Sequence, residues 1–368
     1  MNFPIMLKEL ARKFLGFWTY YFRYLPNQNK FNTNAAGLPL KPGISAVISA
    51  RNEEYTISFC LKSLIGFADQ VTCIDNGSDD RTLELMYQFQ ASHGDKIEVT
   101  ILSMPGALLG DCRQAGIDNS NYQWHLRWDA DMMCKYSGVN NWAEFRKRIL
   151  AIKQPTAVQI PYINLVADLG HTSKSSHEIG NGEYYLLWFS QEIKYREFGK
   201  FDAIKIPFYY NRLVEKEAKI YHCGGLKSIN NLIFRFYYFS WREAVNKNPN
   251  DESIKENAAF TAKYNLEYFG TNDPLSVKFR YLRQVVYHYR KIDLSKYEGY
   301  PEVLQEEIQS GRERFKVVYE NGRPAWRTDS QDIEMLNYKP TAEDIAWDPV
   351  AFLRKLLSEE RIEKLLKV

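Results

Sequence analysis

A chain of 368 residues, 45 % hydrophobic and 25 % charged, is long enough for more than one domain and apolar enough to bury a sizeable core. A net charge of +3, without a basic tract of recognisable spacing, argues against nucleic acid as a partner. Five cysteines (Cys60, Cys73, Cys112, Cys134 and Cys223) show no Cys-x-x-Cys, which argues against a disulfide framework and fits a reducing compartment.

The first predicted element is a helix. Leu7, Leu10, Ala11, Phe14, Phe17, Trp18 and Tyr21 form one stripe, with Lys8, Arg12, Lys13 and Arg23 largely off it. Over residues 1–40 there are five basic side chains against one acid, Glu9. Two readings stay open: a helix lying in a membrane interface, or one docked on the protein's own surface. The apolar run Phe14–Phe22 is closed by Lys13 and Arg23, well short of the ~20 residues that a membrane span needs. Charges within it, and no small-x-small site after it, argue against a secretory signal. Asn27 to Asn34 reads as a polar linker ending before Pro42-Gly43.

Strands and helices then alternate. Ile44–Ala50 is a buried-strand run, and Ile57, Leu61, Leu64 and Ile65 recur at helical spacing. Val71–Ile74 reads as a second strand, stopped by the turn-forming Asp75-Asn76-Gly77-Ser78-Asp79-Asp80. Leu83, Met86 and Phe89 carry a helix, Ile97–Ile101 a third strand, and a Gly-flanked helix holds Arg113. Trp124–Trp128 is a fourth strand, ended by Asp129-Ala130-Asp131. This order predicts an α/β fold with right-handed crossovers and a mainly parallel sheet. Ligands of such sheets bind beyond the carboxyl ends of the strands, where both Asp75 and Asp129 fall. Two carboxylates two positions apart can hold a divalent cation and leave positions open for phosphates and water.

Four segments carry a resemblance: Ser49-Ala50-Arg51-Asn52-Glu53-Glu54, Asp75-Asn76-Gly77-Ser78-Asp79-Asp80-Arg81-Thr82, Cys112-Arg113-Gln114-Ala115-Gly116 and Asp129-Ala130-Asp131. In this order and spacing the chain resembles a family 2 glycosyltransferase of the GT-A fold, over residues 43–135. The resemblance implies a Rossmann-like, mainly parallel sheet flanked by helices. It implies transfer, with inversion, from a nucleotide-sugar donor to a hydroxyl of a glycan or lipid-linked acceptor, in cell-surface polysaccharide synthesis. A divalent cation, Mn2+ or Mg2+, assists. Asp131 is then the direct metal ligand, with a catalytic role, and Asp129 contacts the ribose, or the metal through water. His222, in Tyr221-His222-Cys223-Gly224-Gly225-Leu226-Lys227-Ser228, matches the family's late metal-site histidine; its alternative is a loop residue. Two departures stand out. Gln114 replaces the usual Asn, and no clear Glu-Asp pair stands where many members carry their base.

The remaining candidates follow. Ala50, Arg51 and Glu53 leave the first strand, and Asp75 and Gly77 the second; all are expected to line the nucleotide pocket, although Asp75 also initiates turns well. Asp79 and Asp80 read as helix caps. Arg113 either neutralises the diphosphate or makes a surface salt bridge. Lys227 could touch phosphate. Among Glu178, Glu183, Glu192, Glu197 and Asp202, Glu183 follows a flexible turn and ranks first as the base that receives the acceptor proton. His171 and His177 read as acceptor-loop residues. The aromatic run Leu232–Trp241 is core, or a face for membrane or lipid acceptor. The tail from Pro349 is an amphipathic helix with Phe352, Leu356, Leu357, Ile362, Leu365 and Leu366.

The predicted layout is an N-terminal segment over 1–40, a catalytic domain over 41–228 and a helical extension over 229–368. Cytosolic donors place the protein in the cytoplasm, with peripheral attachment to the inner face of the membrane as an option. Two other classes share the sheet. A sugar nucleotidyltransferase would need a glycine-rich, Arg-containing loop after the first strand, which is missing. An inactive nucleotide-sugar-binding or scaffold protein is disfavoured by Asp75, Asp129 and Asp131 occurring together.

Overall fold

Residues that alternate between buried strand and half-buried helix set the frame. The computed structural model describes residues 3–166, 168–173, 179–198, 201–248, 250–254, 256–287, 289–309, 318–320, 323–325, 333–357 and 359. Helix α1 (Phe3–Thr19) and the single turn α2 (Gln28–Phe31) come first. There follow β1 (Lys41–Ala50), α3 (Ile57–Leu64), β2 (Gln70–Asp75), α4 (Thr82–His93), β3 (Glu98–Ser103), α5 (Leu109–Asp118) and β4 (Tyr122–Asp129). β1 pairs in parallel with β2 on one side and with β4 on the other, and β2 pairs in parallel with β3. Ile44, Ala46, Val47 and Ile48 of β1 are all buried, as expected of a parallel strand covered on both faces.

The predicted α/β class holds, with β1 to β4 parallel. After β5 (Met132–Met133), α6 (Trp142–Leu150), β6 (Thr156–Asn164) and β7 (His171–Ser173), strand β8 (Ile179–Trp188) joins β4 antiparallel, with Trp124 opposite Trp188. A β9–β10 hairpin (Lys194–Phe198, Phe201–Lys205), β11 (Asn211–Val214) and β12 (Ile220–His222) complete this half. Among the described residues the main sheet has nine strands, in the order β3-β2-β1-β4-β8-β6-β12-β5, with β11 as a further parallel partner beside β6.

Two compact units divide the chain, and not in sequence order. The first holds residues 1–162, 181–221 and 297–303; the second holds 163–180, 222–296 and 304–368. The N-terminal segment is therefore part of the first unit rather than a separate region. In the second unit α7 (Ile229–Lys247), α8 (Asn257–Tyr264) and α9 (Pro274–Tyr287) surround Tyr237, Phe260, Phe269, Leu282 and Phe352. The aromatic run 232–241 is thus core, through Leu232, Ile233, Phe236, Tyr237 and Trp241. At the tail a helix spans Pro349–Leu356 and buries Phe352 and Leu353, while Ile362, Leu365 and Leu366 lie outside the described residues. No described helix is long and apolar enough to cross a membrane.

One glycine sets how closely α5 approaches the sheet. A Cβ on Gly116 would lie 2.1 Å from Val47 Cγ1 and 2.7 Å from Val47 Cγ2. Gly116→Ala should destabilise the first unit by about 1–3 kcal/mol through overpacking, and Val47→Ala in the same chain should return part of that. Thermal melts of the single and double variants check this; a Gly116→Ala protein that melts with wild type would show that the contact is not tight.

Candidate active site

The loops that leave β1 and β2 are stitched into one body. Asp75 ends β2 and is buried, and its carboxylate accepts the N–H of Gly77 and of Ser78, both at 3.2 Å. Gly77 has φ +73°, a left-handed turn that glycine adopts without steric cost. Asn52, at φ +56°, donates its N–H to Ser78 Oγ at 3.0 Å and accepts the N–H of Asp79 at 3.0 Å. Glu53 donates its N–H to Thr82 Oγ1 at 2.7 Å, and Glu54 donates to Asp80 Oδ2 at 3.1 Å. Asp80 also accepts the N–H of Thr82 at 2.9 Å, which fixes the start of α4. Arg51 is exposed on this body, whereas Ala50 and Glu53 are buried.

Register brings the acids together. Ala50 lies opposite Asp75 and Ser49 opposite Asp129, so the two aspartates flank the end of β1. Two strand spacings put their backbones roughly 10 Å apart. At that edge the sequence expectation needs two corrections. Arg113 is not at the surface: it is 2 % exposed, ion-paired to Asp129, and donates from Nη1 to Trp128 O at 3.5 Å. Asp131 is likewise no surface-loop residue, being 3 % exposed. Helix α5 packs against β1 and the β9–β10 hairpin, which encloses Arg113, and a buried guanidinium requires an anion.

The donors at this edge are hard. Cys60 Sγ donates to Asp129 O at 3.5 Å, and its thiol is pushed well up by burial and then by Cys73, Asp131, Cys134 and Glu53. Burial also raises Cys134 well above the ordinary thiol range. Protonated thiols are poor metal ligands, so the available donors are carboxylate oxygens, which suit Mg2+ or Mn2+. Among the described residues no group of three or more His, Cys, Asp or Glu side chains is assembled for a metal. Asp129 and Asp131 fit a cation that takes its other ligands from water and phosphate.

Glu183 lies within β8 rather than at a turn, and Arg127 of β4 donates from Nη1 to its Oε2 at 2.6 Å. Gly182 allows this placement: at φ +66°, its Cβ would be 2.0 Å from Ile160 O. Tyr185 lies beneath Arg127, 5.6 Å from ring centroid to guanidinium, and burial followed by the Asp129 and Glu183 carboxylates raises its hydroxyl. His125 is neutral inside β4: burial, Arg113 and Arg127 lower it to about 3, and its Nε2 is 3.1 Å from Tyr195 Oη. Glu192 is engaged elsewhere, with Tyr209 Oη donating to it at 2.7 Å and Arg23 pairing with it. Glu178 and His177 lie outside the described residues. Gln114, the family departure, accepts the N–H of Tyr195 at 3.2 Å, a task that suits the longer amide.

Other site candidates fall in the second unit. There His222 Nδ1 is 3.0 Å from Asn164 Oδ1, Lys227 is buried, and His171 Nδ1 is 2.6 Å from Asp168 Oδ1. Residues with no predicted role also shape the first unit. Besides Asn52 and Arg127, these are Glu302, which accepts the N–H of Tyr136 and Ser137 at 3.0 and 2.8 Å, and Glu298, which accepts that of Val139 at 2.8 Å. Burial opposes ionisation of Glu302, but these bonds hold its carboxyl below the usual range. Only the left-handed tolerance of Asn at position 52 was a readable signal.

Residues 45–147 match the family model of glycosyl transferase family 2, and this segment of the chain is of that family, as its four motifs indicate. No curated protein matches. Solved structures match at low identity. The 1–349 portion of S. aureus TarS in complex with UDP is 12 % identical at a TM-score of 0.36, over 79 % of this chain and 98 % of that one. A longer S. aureus TarS structure is matched over only 48 % of its length. A mannosyltransferase from Pyrobaculum calidifontis, in complex with GDP-Man and Mn2+, is 10 % identical at a TM-score of 0.38, over 83 % and 90 % of the two chains. At these scores no ligand is transferred to this protein.

The Arg113–Asp129 pair is open to test. Arg113→Ala removes the guanidinium beside a partly buried carboxylate and should cost up to about 3 kcal/mol. Asp129→Asn in the Arg113→Ala background should recover much of that loss. Denaturant melts of the two variants decide; equal stability of the single and double variants would refute the pairing.

Proposed function

We propose that the protein transfers a sugar from a nucleotide-diphosphate donor to an acceptor hydroxyl, with inversion at the anomeric carbon. The observation that carries this reading is Asp75, Asp129 and Asp131 gathered at the carboxyl edge of β2 and β4, within a segment of family 2. A crevice between strand ends is where open α/β sheets bind nucleotides. Asp75 and the exposed Arg51 would meet the nucleoside, with Ala50, Glu53 and Gly77 forming the wall. Asp129 would meet the ribose, or a cation through water, while Asp131 would hold the cation directly. A divalent cation bound there would offset the charge that gathers on the departing diphosphate. For His222 as a further metal ligand and Lys227 as a phosphate contact, the resemblance alone is the ground. The resemblance, rather than the geometry, supplies the acceptor class, a glycan or lipid-linked hydroxyl in cell-surface polysaccharide synthesis.

In the transfer itself, the acceptor oxygen attacks the anomeric carbon from the face opposite the diphosphate. The carbon–oxygen bond to phosphate breaks and its electron pair leaves on the diphosphate. The hydroxyl proton passes to a carboxylate, for which we propose Glu183. Arg127 would orient Glu183, and Arg113 would hold Asp129 in place. One displacement gives inversion.

Thermal shift against UDP and GDP, with and without Mn2+, tests the reading. Wild type should gain about 2.7 kcal/mol at a ligand concentration a hundredfold above Kd. Because Asp131 is buried, Asn rather than Ala preserves packing: Asp131→Asn should melt as wild type does in buffer yet lose both the Mn2+-dependent shift and sugar transfer. Full transfer by this variant would sink the assignment.

His222 gives a separate measurement. His222→Ala should raise the Mn2+ concentration for half-maximal rate by about ten- to a hundredfold. An unchanged Mn2+ dependence would make His222 structural and leave the loop's role to Gly224, Gly225 and Lys227.

A further inference from the structure

A surface helix normally turns its polar face to water and its apolar stripe to the core. Helix α1 and the π-helical turn that continues it, Tyr20–Tyr24, do the reverse. Leu10, Phe14, Phe17, Trp18, Tyr21 and Phe22 are each between 46 % and 66 % exposed. Contact with the first unit is made by a different row. A Cβ on Gly16 would lie 2.8 Å from Phe208 O, Tyr20 stacks on Tyr24 at 5.5 Å, and Tyr24 is buried against Tyr209 at 4.8 Å. Within the α-helical part, at about 100° per residue, Phe14 and Trp18 lie roughly 160° from Gly16.

We propose that this outward face is an interfacial anchor that seats the first unit on a lipid surface carrying anionic headgroups. The inference goes beyond sugar transfer and does not depend on it. Four observations support a lipid occupant. The face is aromatic, with Trp and Tyr among its side chains, which favours the boundary between hydrocarbon and headgroup. Its rings are ordered in advance, with Trp18 stacked on Phe22 at 4.5 Å, Phe17 against Tyr21 at 4.6 Å, and Phe14 edge-on to Trp18 at 6.0 Å. Charge is complementary at the level of the segment, since residues 1–40 carry five basic side chains against one acid, with Arg12 and Lys13 off the aromatic face as the polar side of the helix. Length excludes a crossing: 17 residues of helix reach roughly 25 Å, short of a hydrocarbon core. A helix of this kind lies in the interface plane.

The anchor is part of the unit and not a loose tail. Asn32 Nδ2 donates to Tyr24 Oη at 2.9 Å, Trp188 Nε1 donates to Asn32 Oδ1 at 3.3 Å, and Arg23 pairs with Glu192. Trp188 is the register partner of Trp124, five residues before Asp129 along β4, or roughly 17 Å of strand. Vesicle attachment and donor binding are therefore separable. A second copy of the chain is the competing occupant, and the like basic charges of the segment oppose that pairing.

Co-sedimentation of the full chain with phosphatidylcholine vesicles, with and without about 30 % phosphatidylglycerol, tests the anchor. Wild type should bind the anionic vesicles. The combined Phe14→Gln, Phe17→Gln, Trp18→Gln and Phe22→Gln variant should lose about tenfold or more of that binding. Arg12→Gln with Lys13→Gln should weaken binding to the anionic vesicles alone, by a few fold, and high salt should erase the difference. Both variants should keep the wild-type melting temperature and its shift with nucleoside diphosphate and Mn2+. Wild type that sediments no better than the aromatic variant overturns the proposal. So does a wild-type dimer in sedimentation velocity that the aromatic substitutions abolish without any vesicle binding. Absence of a nucleotide response with vesicle binding intact would count against the transferase reading alone.

Discussion

A guanidinium with almost no access to water must face an anion, and the Arg113–Asp129 pair satisfies that demand at the one edge where the site is built. Two unit charges about 4 Å apart attract by about 4 kcal/mol at the effective dielectric of a protein surface. The attraction offsets desolvation of Arg113 and fixes the direction of the Asp129 carboxylate. Asp129 ends β4 beside this counter-charge, and Asp131 follows within the turn and is buried.

Around that pair, the loops take their shape from hydrogen bonds between segments far apart in sequence. Asn52, Glu53 and Glu54 are tied to Ser78, Asp79, Asp80 and Thr82, so the exits of β1 and β2 behave as one surface. Glu298 and Glu302, from a segment that returns late to the first unit, hold the backbone at Tyr136, Ser137 and Val139. Each carboxylate that accepts backbone N–H groups removes a loop conformation that would otherwise have to be ordered by the ligand. Preorganisation of this kind lowers the entropic cost of binding any ligand.

The same accounting of partners explains α1. Its apolar stripe would be read as a core face in almost any helix, yet Gly16, Tyr20 and Tyr24 are what meet the first unit. The choice of face was set by Tyr209 and Phe208, which lie far along the chain. That leaves an aromatic surface outside, on a basic segment.

Much of this could be read from the residues alone. The alternation of β1 to β4 with α3 to α5 follows from hydrophobic period, and the position of Asp75 and Asp129 at strand ends follows from parallel topology. The four motifs of the family 2 segment were visible as spacing and residue type. Burial was not visible. Arg113 and Asp131 look like surface charges in sequence because polar type predicts exposure only on average, and tertiary packing reverses it here. Glu183 read as following a flexible turn, because a preceding glycine suggests flexibility; the close approach to Ile160 O shows that Gly182 lies within the strand instead. Glu298, Glu302 and the outward face of α1 were unreadable for one reason: each depends on a partner more than a hundred residues away. Local periodicity and propensity act within a few residues, so they determine which elements form, while the contacts that decide which side of each element is buried exist only once the chain has folded.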